Sequence, residues 1–140
     1  MGSPQELLIH YKRKLLKALK HLEYSYKKTT HLLTDVENLD DEALEVWESF
    51  AARFSRVSDL FLTKYVRAKV LENDPGFEGT LRDFINQGEK LGILDNANEW
   101  MAVRELRNIS AHDYSEEQLS EFFEKLRKAS PHILSIKNKL

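Results

Sequence analysis

The chemically pointed stretch of the chain is Arg107-Asn108-Ile109-Ser110-Ala111-His112-Asp113-Tyr114. Read as the end of a helix at 100° per residue, it puts Ala102, Val103, Leu106, Ile109 and Ser110 on one side, the expected core face. Arg104, Arg107, Asn108, Ala111 and His112 fall on the other side. Asn108 and His112 are i,i+4 neighbours, so the amide is placed to orient the imidazole. Arg107 and His112 stand about 140° apart and form the shoulders of a shallow saddle, with small Ala111 between them. Tyr114 comes seven residues after Arg107, near the same azimuth if the helix runs that far.

A fixed cation beside a titratable base suits one reaction in particular. RNA carries its own nucleophile, the 2′-hydroxyl, next to the scissile phosphate. Cleavage needs a group that moves a proton, which histidine does near its ordinary pKa of about 6.5. It also needs a cation on the phosphorane oxygens, and arginine binds such oxygens in bidentate fashion. The motif holds no carboxylate cluster for a metal, so neither metal nor cofactor is expected. Because 140° is a wide gap on one helix, the site is expected to be completed across a two-fold axis, one chain's Arg107 meeting the other's His112. On residue physics alone the same set also reads as a helix C-terminal dipole partner or an interface hydrogen-bond set.

The elements that must position these residues are all helical in pattern, with no two-residue alternation. Leu8, Tyr11, Leu15, Ala18, Leu22 and Ser25/Tyr26 mark a first helix over residues 5–32. A second opens at the N-caps Asp40/Asp41 and carries Trp47, Phe50, Phe54, Val57, Phe61, Tyr65 and Ala68. That aromatic stripe has the spacing of a core rather than of a base-stacking platform. Nothing interrupts it before the turn signature Asn73-Asp74-Pro75-Gly76, and a helix of such length favours an elongated bundle or a dimer seam. A short helix from Thr80 to Leu91, closed by Gly92, follows, and the motif helix begins near Asp95/Asn96. The last helix starts at Ser115 with the capping box Ser-Glu-Glu-Gln118, carries Leu119, Phe122, Leu126, Ala129, Ile133 and Ile136, and meets Pro131 near its end. The pattern predicts a single all-α domain over residues 1–140, an antiparallel four- to five-helix bundle.

Composition narrows the function. At 41% hydrophobic and 31% charged the chain is globular, and a net charge of −2 gives no global attraction to nucleic acid or anionic lipid. Any polyanion site must be local. Having no cysteine excludes disulfides, thiolate chemistry and cysteine zinc sites, which suits a reducing compartment. No segment is expected to cross a membrane or act as a signal, and the cytoplasm is the expected location. Charge is unevenly placed. Lys12, Arg13, Lys14, Lys17, Lys20, Lys27 and Lys28 face only Glu23 within residues 12–28, whereas residues 35–48 hold seven acids and no base. Two readings stand: solvated helix faces attracting each other, or a basic rim for RNA phosphates. His10, His21 and His31 lack the i,i+3 or i,i+4 spacing of a helical metal site. Pro75-Gly76-Phe77-Glu78-Gly79 precedes no Gly-Lys-Ser/Thr, so there is no phosphate loop, and no serine nucleophile elbow occurs.

The run Arg107-Asn108-x-x-x-His112-x-Tyr114 resembles the motif of the HEPN superfamily, an Arg and a His with four residues between them and a polar residue after the Arg. Its His-x-Tyr ending is similar to that of HepT-type toxins, which are paired with minimal nucleotidyltransferases. Ala52-Arg53-Phe54 through Asp59, Gly79-Thr80-Leu81-Arg82, Glu89-Lys90-Leu91-Gly92 and Trp100 through Tyr114 extend the likeness over residues 40–126. The resemblance implies a helical homodimer with facing motifs and metal-independent endoribonuclease activity on RNA. It implies catalytic roles for Arg107 and His112 and support from Asn108. Tyr114 would be the hydroxyl that a nucleotidyltransferase antitoxin adenylylates. An acid on an earlier helix is expected against the motif Arg, with Asp59 the candidate; Arg104, on the same polar face, is assigned a supporting role. The same residues also fit a non-catalytic, substrate-binding partner of a nucleotidyltransferase, or a plain interaction dimer.

Overall fold

Ser3 opens the first helix. Its hydroxyl accepts from the Glu6 N–H at 3.2 Å, and Pro4 takes a first-turn position where a missing N–H costs nothing. In the computed structural model, which describes residues 3–108 and 114–140, this is α1, Pro4–Thr29. It stops three residues short of the expected 32. The Thr29 and Thr30 hydroxyls turn back to donate to the Tyr26 and Lys27 carbonyls. Arg127, from the far end of the chain, donates at 2.8 Å to the carbonyls of both Thr29 and Leu32, satisfying acceptors that a longer helix would have used internally.

Helix α2, Asp41–Asp59, starts where Asp40 accepts from the Ala43 N–H at 2.8 Å. The chain then runs without a break through a π turn, Leu60–Tyr65, into α3, Val66–Asn73. The sequence pattern predicts a plain helix over this whole length, and the π turn is the difference. Its cause is visible in the core positions. Val57, Phe61 and Tyr65 are all buried, and so are Ser58, Leu62, Val66 and Val70. Steps of four residues drift by about 40° each on an α-helix, and a wider turn absorbs that drift.

Helix α4, Leu81–Lys90, carries a capping box between Thr80 and Asp83 and ends at Gly92, whose φ of +74° suits a residue without a side chain. Buried Gly88 lets α4 approach α3 closely, since a Cβ there would meet Val66 Cγ1 at 3.0 Å. Helix α5, Ala97–Asn108, and helix α6, Glu116–Leu134, follow. The Ser115–Gln118 box caps α6, which passes Pro131 and closes in a 3₁₀ turn, Ser135–Lys139.

Pairing along α1 gives the direction of packing. Lys28 shares a groove with Glu42 and Glu45, His21 and Ser25 accept from Arg53, and Leu7 and Tyr11 share a groove with Thr63 and Arg67. The two helices therefore run antiparallel. Helix α6 lies against both, and α4 and α5 close the other side. The molecule is an all-α helical bundle. Its core joins Leu15 and Leu22 of α1 to Trp47, Phe50 and Phe54 of α2 and to Phe123, Leu126 and Ile133 of α6. Trp47 stacks on Phe123 at 5.0 Å and donates its Nε1–H to the Leu33 carbonyl. The long α2–α3 stripe is thus covered within one chain, so its length does not by itself call for a partner. None of the described helices is long and apolar enough to cross a membrane.

Candidate functional site

The floor of the site is the packing of α5. Asn96, at φ +42°, accepts from the Glu99 N–H, and Glu89 of α4 accepts from the Ala97 N–H at 2.6 Å. Both bonds fix how α5 leaves α4. Trp100 is then wedged between elements, its ring 4.7 Å from Phe61 in the π turn and 4.6 Å from His132 of α6. Its Nε1–H donates to Asp95. These contacts set the azimuth of the helix. Arg107 comes seven residues later, only about 20° from Trp100 in projection.

This corrects the expected faces of α5. Arg104 and Arg107 do not lie opposite the core; they extend the Ala97–Trp100–Val103 stripe toward the outer end of the helix, half-buried. Ala102, expected in the core, is exposed, and Leu106 is half-buried. The physical reason is that an arginine stem is apolar and packs on the core side while only its head needs water or a partner.

The partner is Asp59, the last residue of α2. Arg107 donates from Nε to Asp59 Oδ1 at 2.6 Å and from Nη2 to Oδ2 at 2.9 Å, a bidentate pair joining residues 48 apart in sequence. Arg104 Nη1 stands 3.6 Å from the same Oδ1. The three side chains are between 28% and 37% exposed, so the pair has one face in the protein and one toward solvent. The hydrogen bonds to Asp59 raise the Arg107 pKa further above its ordinary value, burial opposing and the Asp59 charge assisting, so the guanidinium stays a cation. On the Asp59 side, the carbonyl of that residue accepts from the Thr63 hydroxyl at 2.6 Å, which ties it to the π turn. π turns often mark functional positions.

Chemically, the arrangement is a splinted cation. A guanidinium has five N–H donors, and among the described residues Asp59 takes two, leaving three for an anion. The remaining residues are placed as follows. Asn108 is exposed at the last described position of α5. Tyr114 stands directly before the cap residue Ser115 and is not part of α5; its ring packs on Phe122 at 5.5 Å, and burial pushes its phenol pKa up. The expected neighbourhood of the Tyr114 ring was Arg107, whereas the contact seen is with α6. His112, with Ile109, Ser110, Ala111 and Asp113, lies outside the described residues, and so does the expected Arg107–His112 spacing. Among the described residues no group of three His, Asp or Glu side chains is arranged to hold a metal ion.

Sequence reasoning missed the Phe61–Trp100 wedge and the π turn. The signal for the latter was present, in the run of buried positions spaced by four from Val57 to Val70. No protein-family model matches the chain, and no curated protein or solved structure does.

Proposed function

We propose that this chain is a metal-independent endoribonuclease of HepT type, a toxin whose antitoxin is a minimal nucleotidyltransferase. The observation that carries the reading is the bidentate Asp59–Arg107 pair. A cation intended only for solubility needs no splint, whereas one that must meet a phosphate in one orientation gains from losing its rotational freedom beforehand. In this reading the 2′-oxygen of a ribose attacks phosphorus and its proton passes to a general base. The bond to the 5′-oxygen breaks and that oxygen takes up a proton, leaving a 2′,3′-cyclic phosphate and a 5′-hydroxyl end. His112 is the proton-transfer group, Asn108 orients it, and the three remaining donors of Arg107 hold the phosphorane oxygens. Arg104 adds positive potential beside it. A second copy of the chain brings its own motif to the same phosphate, making the active unit a homodimer.

Purified protein is expected to cleave single-stranded or loop RNA in excess chelator, with cyclic-phosphate ends. Arg107→Ala and His112→Ala should each lose about 10²-fold or more, the usual scale for a charge-stabilising donor or a proton-transfer group. Light scattering should return about twice the chain mass of 16.4 kDa for the parent and for both variants. Cleavage untouched by either substitution, or ends other than cyclic phosphate, would remove the nuclease reading. In that case a non-catalytic partner of a nucleotidyltransferase, presenting Tyr114 at the foot of α6, is the reading the same residues support.

A further inference from the structure

The outer face of α1 is a second, separate feature. Along its solvent ridge His10, Arg13, Lys17, Lys20, Tyr24 and Lys27 recur at three- and four-residue steps, and every one of them is exposed. One side chain per turn means one every ~5.4 Å along the axis. Helix α1 as a whole carries seven lysines and arginines against Glu6 and Glu23, in a chain whose net charge is −2. One-third of the chain's 21 lysines and arginines therefore sit on this helix, where they outnumber its acids seven to two.

The acidic run of residues 35–48 does not neutralise this helix. Among the described residues no ion pair within 4 Å joins the two runs, and the salt bridge found on α1 is the local one between Lys27 and Glu23. Glu42 and Glu45 lie beside the C-terminal half, in the groove they share with Tyr24, Lys28 and Arg53. Among the described residues the stretch from Arg13 to Lys20 has no carboxylate within 4 Å of its cations. At its end stands Tyr24, 59% exposed, with Lys28 Nζ 4.7 Å above its ring.

We propose that this face, Arg13–Lys17–Lys20 with Tyr24, binds the phosphate backbone of a single-stranded nucleic acid. A cation once per helical turn can follow a strand that carries one charge per nucleotide, and an exposed tyrosine flanked by cations offers a stacking surface for a base. A lipid surface is the poorer match, because the apolar face that an interfacial helix would insert is spent in the core, where Leu15 and Leu22 are fully buried. The proposal does not depend on the Arg107 site, which stands on a different helix.

The test uses a fluorescent 2′-O-methyl oligouridylate of about sixteen nucleotides, which a 2′-hydroxyl-dependent nuclease cannot cut, titrated with full-length protein by anisotropy at several salt concentrations. The triple variant R13Q/K17Q/K20Q keeps helix propensity, and circular dichroism checks its fold. Three lost phosphate contacts should lower the log–log salt slope by about 2 and weaken binding about 100-fold at 0.1 M salt. Tyr24→Ala should weaken binding with the slope unchanged. The control K125Q/K137Q, on exposed lysines of α6 and the final turn, should bind as the parent does, whether or not the parent cleaves RNA. No binding by the parent at low salt would overturn the proposal. So would equal losses in the triple variant and the control. Binding to phosphatidylserine vesicles without binding to the oligonucleotide would replace it with a lipid-surface reading.

Discussion

Replacing Asp59 by Asn removes a charge while keeping the shape, and its effects can be worked out from the pair. Two charge-assisted bonds at 2.6 and 2.9 Å join it to Arg107, with side chains a little over one-third exposed. Such bonds contribute roughly 1.5–3 kcal/mol when fully buried and much less at the surface, so solvent screening brings the expected cost to about 1 kcal/mol. For a chain of this length that corresponds to a melting temperature about 3 °C lower. Activity should suffer more than stability. Freed from its splint, Arg107 samples other rotamers, and misplacement by an ångström can cost as much as ~10²-fold. On the nuclease reading, Asp59→Asn should therefore reduce kcat 10- to 100-fold without raising KM, since Arg104 and Arg107 would still attract the RNA. The decisive assay is a double-mutant cycle. If Asp59 acts through Arg107, then Asp59→Asn should change little in an Arg107→Ala background, for cleavage and for urea-measured stability alike. Full additivity of the two losses would refute the splint, and so would an Asp59→Asn protein with parental stability and kcat.

Trp100→Ala should cost about 3–5 kcal/mol by opening the space between the π turn, α5 and α6, read as a lower urea midpoint; an unchanged midpoint would contradict the wedge. The phenols of Tyr65 and Tyr114 are both raised, Tyr65 by burial and then by Glu72, and Tyr114 by burial. A group whose folded pKa is raised contributes stability that is complete below its unfolded value near 10 and is lost as pH rises through the folded value. Stability should thus fall above about pH 10, and less steeply in Tyr65→Phe, followed by denaturant titration against pH. If the HepT reading holds, a cognate nucleotidyltransferase with ATP should add AMP to Tyr114, detectable by intact mass and peptide mapping. Tyr114→Phe should keep most cleavage yet escape silencing, and an adduct elsewhere would reassign the modified residue.

The local features of this fold were legible in the sequence because local chemistry sets them. Ser115 with Gln118 marked the start of α6, and Gly92 the end of α4, since caps depend on neighbours three or four residues away. The phase of α5 was not legible. A helical projection sorts residues by polarity, and it sent Arg104 and Arg107 to the solvent side although their stems pack along the core. It also drew Ala102 inward, where a single methyl group offers little apolar area to reward burial. Asp59 came into view only through family resemblance, because it stands 48 positions before Arg107 and nothing in the chain between them announces the pairing. The stripe from Trp47 to Tyr65 fitted a plain helix well enough to hide the turn inside it.

That turn makes chain length, as distinct from residue identity, a determinant of the site. A π turn is a helix with one residue to spare, and the spare residue acts as a rotary joint. It lets Asp59 address α5 on one side while Val66 and Val70 keep their seats in the core on the other. Deleting one residue between Leu60 and Tyr65 would leave an ordinary α-helix whose halves keep their phase, whereas adding one would put them out of phase by about 100°. Either the carboxylate swings away from Arg107 or the lower core loses its register. Among variants of this chain, substitutions within the turn are therefore tolerable to the extent that they preserve its apolar positions. An in-frame gain of one codon there disconnects Asp59 from Arg107 without altering either residue.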